Sequence, residues 1–115
     1  MRPTKKAENA ADIKSQVLRL AGLVEAQEGA IVSREVLSQK AGTVTAFAFG
    51  AGQQLSEHTA PYDAMVCALE GAAVVTIGGK PHTVRAGDMI IMPAAIPHAL
   101  RAEEPFKMLL VMIRK

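Results

Sequence analysis

Hydrophobic side chains fall along this chain in two rhythms. Near the start, Ile13, Val17, Leu20 and Val24 recur at three- and four-residue steps, the spacing that gathers apolar residues on one face of a helix. Gly22 weakens the far end of this stretch, so the pattern predicts a short amphipathic helix from Asp12 to about Ala21. After Gly29 the character changes to strand. Ile31, Val32, Val36 and Leu37 are broken by Ser33, Arg34 and Glu35, and Lys40-Ala41-Gly42 supplies a turn. Thr43 to Phe49 then alternates with a period of two, as a strand buried on one face does. Further strands are predicted over 64–69, 72–77, 82–84, 89–92 and 107–113. Glycines punctuate them at 50, 52, 71, 78, 79 and 87. Gly78-Gly79 is a hairpin signal, because both residues accept positive φ. Many short strands with turns every eight to twelve residues predict an all-β sandwich or barrel.

Two of these strands do not alternate. Residues 64–69 and 108–113 are apolar at nearly every position, which predicts cover on both faces. In a small barrel with little helix the second cover is expected from another subunit, so a homodimer is expected.

Composition narrows the picture further. With 115 residues the chain suits one domain with a real core. Residues 1–10 read as a loose tail and 11–115 as a single domain. Half of the residues are apolar, yet there are only three Phe, one Tyr and no Trp. Such a chain lacks the stacking platforms of single-stranded nucleic-acid binders. The net charge of +2 and the scattered basic residues give no dense basic stripe, so no nucleic-acid partner is expected. No apolar run reaches the roughly 20 residues that span a bilayer, so no membrane partner is expected, and the polar first dozen residues lack a secretory signal core. The lone Cys67 excludes an intramolecular disulfide framework and reads as a buried structural thiol in a reducing compartment. A cytoplasmic location is expected. Met89, Met92, Met108 and Met112 read as core and interface filler, and Glu103-Glu104 as a solvated turn before Pro105.

The candidate chemistry lies between Gly52 and His98. The first stretch runs Gly52-Gln-Gln-Leu-Ser-Glu-His58-Thr-Ala60-Pro-Tyr62-Asp-Ala64 and ends at Gly71; the second runs Gly87-Asp-Met-Ile-Ile-Met-Pro93-Ala-Ala95-Ile-Pro-His98. This pair of motifs resembles the cupin superfamily, small β-barrels recognised by two such motifs in order. Gly52, His58 and Gly71 match the first motif, while Ala60 and Ala64 stand where its second histidine and its glutamate belong. Gly87, Pro93 and His98 match the second, with Ala95 in place of a glycine and Ala102 in place of an asparagine. The separation resembles minimal bacterial single-domain members, and the likeness runs from about Val44 to the end. It implies a double-stranded β-helix, or jelly-roll, barrel of the RmlC-like kind, preceded here by the short helix.

The resemblance also implies a metal centre. Members with the full set hold a divalent ion such as Zn, Ni, Mn or Fe through three histidines and a glutamate. Carried over position by position, only His58 and His98 remain, and alanine has no lone pair to offer. Catalytic zinc usually takes three protein ligands and structural zinc four. Glu57 directly precedes His58 and so faces the other side of a strand; Asp63 lies in a loop. His82 reads as an exposed polar residue. Two functions therefore stand open. In one, the protein binds a small molecule in a pocket formed by His58, His98, Ala60, Ala64 and Tyr62, where the alanines leave room. Imidazoles beside that room suit a small anion, with Arg101 as a candidate partner. In the other, it is a metal-dependent enzyme, an oxygenase or isomerase, with His58 and His98 as two of its ligands. No catalytic residue can be assigned from spacing.

Overall fold

A computed structural model of the protein describes residues 13–114; the expected tail over 1–10 lies outside the described residues. Nine strands follow one another: β1 (Ile31–Gln39), β2 (Gly42–Phe49), β3 (Gln54–His58), β4 (Ala64–Glu70), β5 (Ala72–Ile77), β6 (Lys80–Arg85), β7 (Met89–Met92), β8 (His98–Ala102) and β9 (Phe106–Ile113). They form two antiparallel sheets, a five-stranded one in the order β1-β2-β9-β4-β7 and a four-stranded one in the order β3-β8-β5-β6. This is the jelly-roll arrangement expected from the motifs.

The strands are held in register by their inward residues. On the five-stranded sheet, Phe49 faces Phe106, Phe47 faces Met108, and Met108 faces Ala68 on the other side. On the four-stranded sheet, Ala73 lies between Val84 and Ala102, and Val75 faces Leu100. Together these side chains form one buried cluster in which Phe49, Phe106, Val66, Val75 and Met108 are the largest fully buried residues. The Phe49 and Phe106 rings pack 5.9 Å apart in a tilted contact, which adds to their burial. Gly71 marks the turn between β4 and β5. Its φ is +77°, and a Cβ there would collide with the carbonyl oxygen of Pro105, so only glycine fits.

The predicted N-terminal helix is not formed among the described residues, which hold only a 3-10 turn over Leu20–Gly22 and a helical turn at Ile13. The apolar stripe finds too little to cover it: Val17 is fully exposed, and Leu18 and Leu20 are nearly half exposed. A helix of two to three turns is marginal in water without a buried face. The chain instead passes as an irregular strap over the outer face of the five-stranded sheet. There Leu23 and Val24 bury Ala46 and Ala48, packed against Val32, Val36 and Leu109. Lys107 anchors the strap, donating to the carbonyl of Ala21 at 2.7 Å while lying 3.6 Å from both Glu25 and Glu70. Arg34 donates to the carbonyl of Leu23 at 3.0 Å. Part of the second cover expected for β9 therefore comes from this chain itself. The remaining outer rows, with Met65, Val111 and Ile91 side by side in register, lie beyond the strap. Among the described residues, no helix is long and apolar enough to cross a membrane.

Candidate functional site

The two histidines arrive at the site from neighbouring strands of one sheet. His58 ends β3, His98 begins β8, and the two are register partners. Pro93 and Pro97 flank a tight loop before β8. Its shape is set by Asp63, whose Oδ1 accepts the Ala94 amide at 2.8 Å, and by the Ala95 amide, which donates to the carbonyl of Ala60 at 2.8 Å. Ala95 itself has φ +65°, so the left-handed conformation of the motif's glycine position persists although the residue is alanine. That costs about 1 kcal/mol.

Both rings are oriented from behind. His58 Nδ1 lies 2.9 Å from the carbonyl oxygen of Ser56, and His98 Nδ1 lies 3.2 Å from that of Ile96. The opposite nitrogens converge, with Nε2 to Nε2 at 3.1 Å and the rings edge to face at 72°. His98 is buried at 6% exposure, whereas His58 is exposed. Burial pushes the His98 imidazole below its ordinary value of 6.5, the charge of His58 pushes it the same way, and the Ile96 carbonyl opposes them. The site thus disfavours a doubly charged pair.

Beside the pair lies a cavity of about 60 Å³, room for a few waters. Its wall holds Leu55, Leu100 and Leu110, three methionines and Ala60, and its polar side chains are the two imidazoles alone. Of the five residues expected to form the pocket, His58, Ala60 and His98 meet here. Ala64 is buried at 4% on β4, facing Met92 on one side and Met112 on the other. Tyr62 sits half-buried in the loop between β3 and β4 and is not part of the cavity wall. Arg101 points away from the site and pairs with Glu103 at 2.7 Å, both more than half exposed. His82 is exposed on β6. The sequence alone marks the methionines only as filler. Their role in lining the cavity follows from the pairing of β4 with β7 and β9, which no short-range pattern reveals.

The donors do not fit the four-ligand divalent centre that the motif resemblance implied. Among the described residues, no group of three or more His, Cys, Asp and Glu converges on a point. Asp63 is occupied by the backbone of the Pro93–Pro97 loop, and Glu57 is exposed away from the cavity.

Comparison with known proteins agrees with this architecture. The sequence model of a family described as "Cupin domain" matches residues 46–113. A conserved protein of unknown function from Streptococcus pyogenes is similar in structure, with 39% identity, a TM-score of 0.84, and 88% of this chain and 89% of that one covered. A cupin 2 conserved barrel domain protein from Leptotrichia buccalis is 42% identical with a TM-score of 0.82, covering 84% of this chain and 47% of that one. Among curated proteins, a dimethylsulfoniopropionate lyase, DddW, of Ruegeria pomeroyi is 40% identical over 50 residues, 44% of this chain. The chain spans about a third of the length of that relative (33%).

Proposed function

The chain belongs to the cupin domain family, and from that premise we propose that it binds a small molecule in the barrel cavity beside His58 and His98. The observation that carries this reading is the cavity wall, which is apolar except for two converging imidazoles. Such a wall recognises a ligand with an apolar body and one polar or charged group. At about 60 Å³ the closed part admits only a few heavy atoms, so a larger ligand would extend through the mouth past exposed His58. The same barrel hosts many chemistries, so the site, and not the fold, carries the proposal.

The test is a thermal-shift screen on metal-free protein with small carboxylates, sugars and dimethylsulfoniopropionate, the compound in the lyase's name. A saturable rise that His98→Ala or Ala60→Phe abolishes is expected. Ligands that stabilise wild type and Ala60→Phe equally would place binding elsewhere and overturn the reading.

The homodimer is part of this proposal. The outer row Val44-Val111-Met65-Ile91 of the five-stranded sheet, and the Cys67-Met89 end of the next row beyond the strap, hold no charged side chain. Met89 and Ile91 on the edge strand β7, and Ile113 at the end of β9, are at least half exposed. A second copy presents the same patch, which a twofold contact would bury. A monomer mass by light scattering at micromolar concentration would refute it. A reducing, cytoplasmic setting is proposed from the single Cys67.

A further inference from the structure

The strands β1, β3, β6 and β7 edge the two sheets. Bulges, charges and prolines keep an edge strand from adding a further strand, and the first three carry them. β1 has a register shift between Glu35 and Leu37, beside the charged Arg34. β3 has one between Leu55 and His58, and it holds Glu57. β6 holds Lys80, Pro81 and Arg85. β7 has none of these. It reads Met89-Ile-Ile-Met92, pairs with β4 without a shift, and leaves the Met89 and Ile91 side chains half exposed.

The backbone of β7 is also open on one side. The Ala68 amide donates to the carbonyl of Asp88 at 2.9 Å. Hydrogen-bonded and non-hydrogen-bonded pairs alternate along an antiparallel ladder, so Ile90 and Met92 turn their backbone groups toward β4. Met89 and Ile91 turn theirs outward, and among the described residues no turn or loop backbone group bonds to them. Their amides and carbonyls are left to water or to another strand.

The spacing of these outward residues suits a copy of the same strand. With the two strands antiparallel about a twofold axis at Ile90, Met89 lies opposite the partner's Ile91, and Ile91 opposite the partner's Met89. Each of those pairs exchanges two backbone bonds. Ile90, which packs against the core, meets the partner's Ile90 at the axis. On the outer face, the uncharged row Val44-Val111-Met65-Ile91 continues into the partner's Met89 and the partner's Cys67. The charge nearest the strand, on Asp88, is held by its own chain, where Oδ2 accepts the Arg85 amide at 2.9 Å. The partner's Asp88 falls at the far end of the pairing.

We propose that β7 pairs antiparallel with β7 of a second copy, joining the two five-stranded sheets into one continuous sheet. The proposal rests on the homodimer reading and names its seam: backbone hydrogen bonds along one edge. It does not depend on any ligand in the cavity.

The seam is tested by light scattering and by amide exchange followed by NMR. Wild type should be a dimer at micromolar concentration. Ile91→Pro removes an outward N–H that β4 does not use, at an edge where proline is tolerated, and should be a folded monomer. Val111→Lys places a charge on the outer face of β9, two strands from the seam, and should remain a dimer. In the wild-type dimer the Met89 and Ile91 amides should exchange at least about a hundredfold more slowly than unbonded amides. A wild-type dimer in which both amides exchange freely would overturn the seam and leave the homodimer standing. So would a dimer that Val111→Lys splits and Ile91→Pro does not. A monomeric wild type would overturn both. The exchange measurement needs no variant, so it decides the matter even where Ile91→Pro fails to fold.

Discussion

The two ends of the barrel are built on the same strands and filled in opposite ways. At the aromatic end, Phe49, Phe106, Ala73 and Ala102 are buried at 1% exposure or less, with rings and small residues interlocked across the sheets. At the histidine end, the equivalent row holds Ala64 between methionines, and Ala60, in the loop after β3, lines the cavity with the two imidazoles. Each end carries one register irregularity, between Leu55 and His58 at one and between Ala68 and Glu70 at the other, so hydrogen bonding does not distinguish them. What differs is side-chain volume and polarity: one end uses its space for cohesion and the other keeps space for something else. A barrel can keep such an end because the other supplies the packing.

Four changes would break or sharpen this contrast. Phe106→Ala should cost the most, about 3–5 kcal/mol, because it removes a fully buried ring and leaves a cavity; urea denaturation measures it. A loss below 1 kcal/mol would mean that the aromatic end is not the main source of cohesion. Adding volume should be costly at one end only. Ala102→Val should destabilise by about 1–3 kcal/mol through overpacking, whereas Ala60→Val, facing the cavity, should stay within about 0.5 kcal/mol. Equal costs would erase the contrast.

Next in size is Ala95→Gly, which relieves a left-handed alanine in the loop supporting His98. It should stabilise by about 1 kcal/mol; a destabilised variant would show that the methyl group has a packing role. The smallest effect is a pH dependence. His98 is held below 6.5 chiefly by burial, so below that pH the unfolded chain takes up a proton that the folded one resists. Its contribution is therefore complete at neutral pH and above. It is lost as pH falls from about 6.5 toward the lowered folded value, and stays lost below it. Denaturation of chelator-treated protein between pH 7.5 and 5 should show this slope, and His98→Gln should flatten it.

Legibility in the sequence follows the same division. The core strands were readable because Thr43–Phe49, 64–69 and 107–113 are dense in apolar residues, and Gly71 and Gly87 announced their turns. The strands that carry the histidines were not readable as strands. Gln54-Leu-Ser-Glu-His58 and His98-Ala-Leu-Arg-Ala102 hold few β-branched or aromatic residues, and only motif spacing placed them. Periodicity misled once, at the N-terminus, where a helical stripe met a sheet face that buries only Leu23 and Val24. The methionines beside Ala64 stayed out of view because they come from β7 and β9, strands well separated in sequence.

Lys107 has one more consequence, for the order in which the molecule is made. Its bond to Ala21 joins residues 86 positions apart, so the strap leaves the ribosome long before the strand that holds it. Until β9 pairs with β2 and β4, Leu23 and Val24 have no complete surface to cover. Closure of the strap should therefore be a late event, slowed by the long loop it completes, and its amides should be among the first to exchange in the native protein.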